Sequence, residues 1–159
     1  MKEIELTQGK ITLVDDEDHE MLMNWKWHFE NGYARRKDYI GCISSKPTWK
    51  MFGMHRVVMK APLGMQVDHI NHNKLDNQKC NLRLATHQEN MWNSKIQKNN
   101  KSGYKGVSWR KQCNKWQATI KKNYKDISLG YYKTKEDAAL AYNNAARELF
   151  GQFAFLNVV

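Results

Sequence analysis

The spacing of apolar and polar positions changes along the chain, and each change marks an expected element. Ile11 to Val14 and Trp49 to His55 read as short strand-like runs. A helical spacing from about Glu17 to Asn24 lies between them, behind Asp15 and Asp16, where negative charge favours a helix start. Trp25, Trp27 and Phe29 alternate as the residues of a half-buried strand do and read as core, with base stacking the secondary alternative. After Pro62 and Gly64, Gln66 to Ile70 reads as a strand, Asn71 to Lys79 as a polar loop and Leu82 to Ala85 as a return strand. Thr86 with Glu89 forms a capping box that opens a helix running to about Gln97. Lys98 to Gly103, KNNKSG, has no apolar period and reads as a linker.

From Tyr104 the runs GYKGVSWR, KWQATIKK and DISLGYY predict three strands. A helix follows from about Lys135 to Phe150, capped by Thr134 with Asp137 and closed by Gly151. Its stripe of Ala138, Ala141, Tyr142, Ala145 and Leu149 should face the sheet. Trp116, Ala118 and Ile120 alternate with Gln117, Thr119 and Lys121, so the first set meets the helix and the second faces outward. Val107 likewise points inward, leaving Ser108 and Arg110 outside. The expected fold class is α+β. A small β-rich N-terminal module covers residues 1–60, a strand, loop, strand, helix unit covers 61–97, and a linker covers 98–103. A three-stranded antiparallel sheet packed on one helix covers 104–159.

Charge sharpens this division. Residues 1–60 carry 10 basic and 9 acidic side chains and residues 61–159 carry 16 and 7, so +9 of the net +10 sits in the last two thirds, as expected where phosphates must be held. Cys42, Cys80 and Cys113 are too few and too scattered for a disulfide framework or a cysteine zinc site, which fits a reducing compartment. The chain has no apolar run of membrane-spanning length, and its start, MKEIELTQGK, is unlike a signal peptide, so the expected location is cytoplasmic, without membrane. Asp15, Asp16, Glu17 and Asp18 lack the other ligands of a calcium loop and read as a solvated helix start.

Residues 67–93, VDHINHNKLDNQKCNLRLATHQENMWN, concentrate the candidate chemistry. Phosphodiester hydrolysis needs an activated water, a cation to offset charge in the transition state and stabilisation of the leaving oxygen. An acid and an imidazole side by side, Asp68 and His69, supply two such groups. Strand neighbours point to opposite faces, so the pair can cooperate only at a strand end or bulge. The Asp-His pair, the Asn81-Leu82-Arg83 run and the later asparagines resemble the HNH nucleases, more closely the homing endonucleases of phages and group I introns. That resemblance implies a ββα-metal core in which Asp68 binds a divalent metal and His69 is the general base on water. It implies Asn90 as second metal ligand and Asn81 as the residue bracing the loop and orienting the histidine. An oxygen-rich site of this kind suits Mg2+ or Mn2+ better than zinc, and no small-molecule cofactor is implied. Asn93, one helical step beyond Asn90, is near enough for the metal site or a phosphate. Arg83 either holds the scissile phosphate or pairs with an acid. His55 and Arg56 match a family element ahead of the catalytic strand and read as packing or phosphate contacts, whereas His72 and His87 read as solvent-facing.

Residues 103–157, through YKGV, KW, ATI, SLGYY, EDAALAY and FLN, resemble the Apetala-type DNA-binding domain of plant ethylene-response factors. Such domains lay their sheet in the major groove, which implies Lys105, Arg110, Thr119 and Lys121 as contacts to double-stranded DNA. Ser108 and Ser128 depart from the plant pattern, so the plant target sequence does not carry over. A solvated basic turn is the competing account of Lys121, Lys122 and Lys125. Together these resemblances imply a metal-dependent, site-specific DNA endonuclease of the homing type, nicking one strand per active site, as monomer or homodimer, in the host cytoplasm if phage-encoded. The alternatives are a broad-specificity nuclease or a DNA-binding regulator with an inactive nuclease module.

Overall fold

A computed structural model describes residues 1–44 and 46–159, which form two compact units, Met1–His87 and Gln88–Val159. The class is α+β. In the first unit β1 (Lys2–Glu5) pairs antiparallel with β2 (Ile11–Val14), and α1 (Asp16–Leu22) starts at once behind an extended Asp15, its first turn loaded with Asp16, Glu17 and Asp18. β3 (His28–Glu30), β4 (Tyr33–Ile43) and β5 (Lys46–Gly53) form an antiparallel sheet in that order. Asn31 and Gly32, both at positive φ, make the two-residue turn between β3 and β4. α2 (Met54–Val58) then leads to the antiparallel pair β6 (Gln66–His69) and β7 (Leu82–Ala85).

One core holds this unit together, with Ile4, Val14, Leu22, Trp27, Met54 and Leu82 among its buried members. It draws on residues on both sides of position 60, so the N-terminal segment and the β6–β7 ladder share an interior. Met54 is fully buried, and its truncation to Ala should cost roughly 2–5 kcal/mol. The expected strand Trp49 to His55 proves to be the end of β5 followed by the first turn of α2. Gly53 permits that turn, because a Cβ there would collide with the His55 ring.

In the second unit α3 (His87–Trp92, its first residue at the boundary) ends five residues before the expected Gln97. Ser94 closes it, with its backbone N–H and hydroxyl both bonded to the Met91 carbonyl. β8 (Val107–Arg110), β9 (Lys115–Lys122) and β10 (Lys125–Tyr132) form an antiparallel sheet in the order β10-β9-β8, covered on one face by α4 (Lys135–Phe150). Thr134 caps α4 as expected, its Oγ1 accepting from the Asp137 N–H at 3.1 Å. The buried stripe of α4 is rotated from the expected one: Ala138 and Tyr142 are joined by Ala139, Asn143, Ala146 and Phe150, while Ala141, Ala145 and Leu149 flank it. Asn143 belongs inside because its amide pairs both ways with the Asn157 backbone, at 2.9 and 2.8 Å, tying the C-terminal tail onto the helix.

Candidate active site and candidate DNA-binding sheet

The β6–β7 register sets the first site by pairing Asp68 with Arg83 and His69 with Leu82. Asp68 and His69 thus leave the strand on opposite faces, and His69 is the last residue of β6, the strand-end position their cooperation demands. On one face Arg83 donates from Nε (2.9 Å) and Nη2 (2.6 Å) to Asp68 Oδ2. Both side chains are nearly buried, at 12% and 7% exposure, so each charge depends on the other.

On the other face His69 Nε2 lies 3.3 Å from Asn77 Oδ1. The Asn77 amide donates to Thr12 Oγ1 at 2.7 Å, and the Thr12 hydroxyl donates to the Leu75 carbonyl at 2.7 Å. A hydroxyl has one proton, so spending it on Leu75 makes Thr12 an acceptor towards Asn77 and turns Oδ1 towards the imidazole. Nε2 therefore carries the ring proton and Nδ1 the lone pair. Burial holds the His69 pKa below its ordinary 6.5, against the opposing pull of Asn77, Asp68 and Asp76. A neutral imidazole with a fixed tautomer is what a general base requires.

His55 and Tyr33 pack around this ring, with His55 at 5.3 Å and Tyr33 at 6.1 Å between centroids. Burial first, then the neighbouring His69, Arg56 and Arg35, depresses the His55 pKa to about 3, so His55 too is neutral. Lys74 Nζ stands 4.2 Å over the Tyr33 ring. Arg56 spends its guanidinium on the carbonyls of Met65, Ala61 and Pro62, at 2.6, 3.3 and 3.1 Å, closing the turn before β6. Asn81 accepts from the Asn71 N–H at 3.0 Å and donates to the Asp76 carbonyl at 2.8 Å, so it braces the loop while Asn77 contacts the histidine. His87 Nδ1 lies 3.1 Å from the Gln66 amide, and His72 adopts a left-handed backbone in the loop.

Sequence reasoning missed Thr12, Tyr33 and Asn77. Thr12 and Asn77 are 65 residues apart, and Asn77 looks like any other member of an Asn-rich loop. Among the described residues no group of three or more His, Cys, Asp or Glu could hold a metal ion. Asp76 commits both oxygens within its own loop, to the Asn71 and Gln78 amides at 2.7 and 2.9 Å, which leaves Asp68 as the carboxylate next to His69.

Asn90 lies on α3 and Asn93 just past its end, Asn93 being buried, and both belong to the second unit. The outer face of the β8–β10 sheet carries Ser108, Arg110, Gln117, Thr119, Lys121, Ser128 and Tyr131, as the register dictates. Arg110 Nε donates to Gln117 Oε1 at 2.5 Å, and the Gln117 amide donates to Ser128 Oγ at 3.0 Å, so the exposed guanidinium is aimed by a polar chain across three strands. Lys121 stands exposed, 3.5 Å from an equally exposed Asp126. Thr119 is half-buried on the same face. Lys105 is not on it: its ammonium donates to the Trp92 and Ser94 carbonyls at 2.6 and 2.8 Å, neutralising the C-terminal end of α3. Burial lowers its pKa to about 8. Gly106, beside it, is required because a Cβ would overlap the Tyr142 ring and the Thr119 carbonyl.

Residues 53–92 match the HNH endonuclease family and residues 102–152 the AP2 domain. A relative named Uncharacterized HNH endonuclease L560, from Acanthamoeba polyphaga mimivirus, is 43% identical over 159 residues, 96% of this chain and 77% of the relative. The chain belongs to the HNH endonuclease family. This HNH endonuclease is thus a nuclease hydrolysing DNA, and it carries an AP2 domain behind the nuclease segment. Protein 3.8 of Escherichia phage T7 is 42% identical over 93 residues, 58% of this chain and 76% of the relative. The Dehydration-responsive element-binding protein 2E of Oryza sativa subsp. japonica is 47% identical over 57 residues, 35% of this chain and 18% of that protein. No solved structure matches. The family match encloses His55, Asp68, His69, Asn81 and Asn90, whereas Thr12 and Tyr33 lie ahead of it. No helix among the described residues is long and apolar enough to cross a membrane.

Proposed function

We propose that this HNH endonuclease is a divalent-metal-dependent, site-specific enzyme of the homing type that nicks one strand of double-stranded DNA per active site. The observation that carries this is the buried, neutral His69, whose proton is fixed on Nε2 by the Asn77–Thr12 chain. In this reading His69 Nδ1 accepts a proton from the attacking water, and Asp68, held by Arg83, is its neighbour in sequence. The donor set fits an ion of the magnesium class, which binds through one or two carboxylates and completes its shell with phosphate and water. Asp68 would hold it; a second ligand at Asn90 is what the family resemblance alone implies. When bound, such an ion supplies positive charge at the phosphate and the leaving oxygen. It does not fit a zinc site, since no cluster of three His, Cys, Asp or Glu exists among the described residues.

Arg110 and Lys121 are the proposed DNA contacts of the AP2 sheet, with Thr119 between them. Lys105, Asn81 and Asn93 are proposed to act by support. One His69 per chain supports nicking, because a double-strand break needs two centres or two visits. The test is a supercoiled plasmid incubated with the protein and magnesium, with and without a chelator. Nicked circle that forms only with free magnesium is the expected outcome, and undiminished cutting in the chelator contradicts the metal. Sequencing the ends separates the homing reading, which needs recurrent sites, from a broad-specificity nuclease, which gives dispersed ones.

A further inference from the structure

The hairpin β4–β5 is a feature that the catalytic centre does not use. Residues 1–30 contain 3 basic and 8 acidic side chains, whereas residues 33–53 contain 5 basic and 1 acidic, so the ribbon is net cationic even with Glu30 of β3 paired to Arg35 and Lys37 at 3.4 and 3.6 Å. Ala34 is the last buried residue of β4, and β5 contains none, so most of the ribbon has no interior face. The register pairs Arg35 with Gly53, Lys37 with Met51 and Tyr39 with Trp49 on one face. There Tyr39, Trp49 and Met51 are 54%, 58% and 40% exposed, and the two rings pack edge-on at 5.3 Å. Isolated exposed apolar residues are ordinary, but a contiguous aromatic patch bordered by cations marks a contact surface.

The same face begins at the active site. Tyr33 shares the side of β4 with Arg35, Lys37 and Tyr39, and its ring packs 6.1 Å from that of His69. Arg35 stacks 5.3 Å from the Tyr33 ring. The bulge between Tyr39 and Gly41 adds twist to the ribbon. A twisted two-stranded ribbon is one of the shapes that a DNA major groove admits. β5 is an edge strand, and Lys46, Pro47 and Lys50 on it disfavour strand addition by a second copy.

We infer that the Tyr33, Arg35, Lys37, Tyr39, Met51, Trp49 face of the β4–β5 ribbon is a second duplex-binding surface, laid along the DNA to one side of the bond that His69 attacks. The inference rests on the DNA-cleaving function proposed above. Tyr33 to Tyr39 spans roughly 20 Å at about 3.3 Å per residue. That is about six base-pair steps of duplex. The arm would therefore extend recognition by about half a turn from the cut.

The test compares the full-length wild type with the double variant Tyr39→Ala/Trp49→Ala and with Lys37→Ala, circular dichroism confirming that each is folded. Binding to a random-sequence duplex is read by fluorescence anisotropy with calcium in place of magnesium, and nicking of supercoiled plasmid is read with magnesium. The expected result is affinity about tenfold or more weaker in the double variant with the nicking rate at saturating protein kept, and a salt slope reduced by about one in Lys37→Ala. Equal affinity and equal half-saturation in a wild type that nicks overturn the arm and leave the nuclease intact. A wild type that does not nick, yet binds duplex tenfold tighter than the double variant, overturns the nuclease reading and supports the arm. A wild type that sediments as a dimer where the double variant is a monomer, with duplex affinity unchanged, overturns the proposal in favour of self-association. Should the variants fail to fold, hydroxyl-radical footprinting of the wild type decides: protection reaching about six base pairs to one side of the nick supports the arm, and protection confined to the nick overturns it.

Discussion

The β6–β7 centre and the β8–β10 sheet both present polar side chains on short antiparallel strands, but they present them to opposite environments. Asp68, His69, Asn77 and Asn81 are buried, and each is satisfied by partners from the loop, from β7 or from distant β2. Arg110 and Lys121 stand in the open, and the helix beneath them packs against Ala118 and Ile120 on the other face. The centre therefore buys its chemistry with stability, since every polar group inside it must stay paired. The sheet separates the two, so its outer residues can change while the core stays the same.

Substitutions at the centre should then cost folding free energy, and those on the sheet should cost binding alone. Arg83→Ala is expected to destabilise the first unit by about 3–5 kcal/mol, because it removes the guanidinium that donates twice to the buried Asp68 carboxylate. Denaturant unfolding of the full chain measures it, and a loss below ~1 kcal/mol means that the pair is not isolated from water.

Acid is the next largest lever. The His55 pKa is about 3 in the fold against 6.5 unfolded, so the unfolded state binds the extra proton. That stability is complete above pH 6.5 and drains as pH falls towards 3, at about 1.4 kcal/mol per unit, or about 3 kcal/mol by pH 4.5. Thermal melts between those pH values should show a steeper decline in the wild type than in His55→Gln, and parallel curves argue against a buried neutral ring.

Thr12→Val removes the acceptor for Asn77 and the donor to Leu75 within the interior, at an expected cost of about 1–3 kcal/mol. It also frees the amide that fixes the His69 tautomer, so the nicking rate should fall even at temperatures where the variant is folded. An unchanged rate separates Thr12 from the chemistry. On the sheet, Lys121→Ala should leave the melting temperature within experimental scatter and lower the salt slope of DNA binding by about one. A shift in stability instead would place Lys121 in the fold's own economy, where its exposed 3.5 Å contact with Asp126 gives little reason to expect it.

Local pattern revealed what local pattern controls. β7 and α4 have the bounds that alternation and capping predict, and β6 differs by one residue, because turns and caps such as Thr134–Asp137 are decided by neighbours in sequence. The β4–β5 ribbon escaped because most of it has no buried face, so hydrophobic alternation carries little signal there. The Asn31-Gly32 pair that turns β3 into β4 was the available cue. Asp68 and His69 stood out as candidates from chemistry and resemblance, whereas the groups that surround His69 did not. Thr12 and Asn77 meet only through tertiary structure, and Lys105 looked like a surface cation until the end of α3 proved to need one.

The central claim is that His69 takes a proton from water, and the most direct measurement is the single-turnover nicking rate of supercoiled plasmid by wild type and His69→Ala under saturating protein and magnesium. A fall of about a hundredfold or more, read at a temperature where the variant is folded and with DNA binding kept, is the expected result. A variant that nicks at the wild-type rate contradicts it.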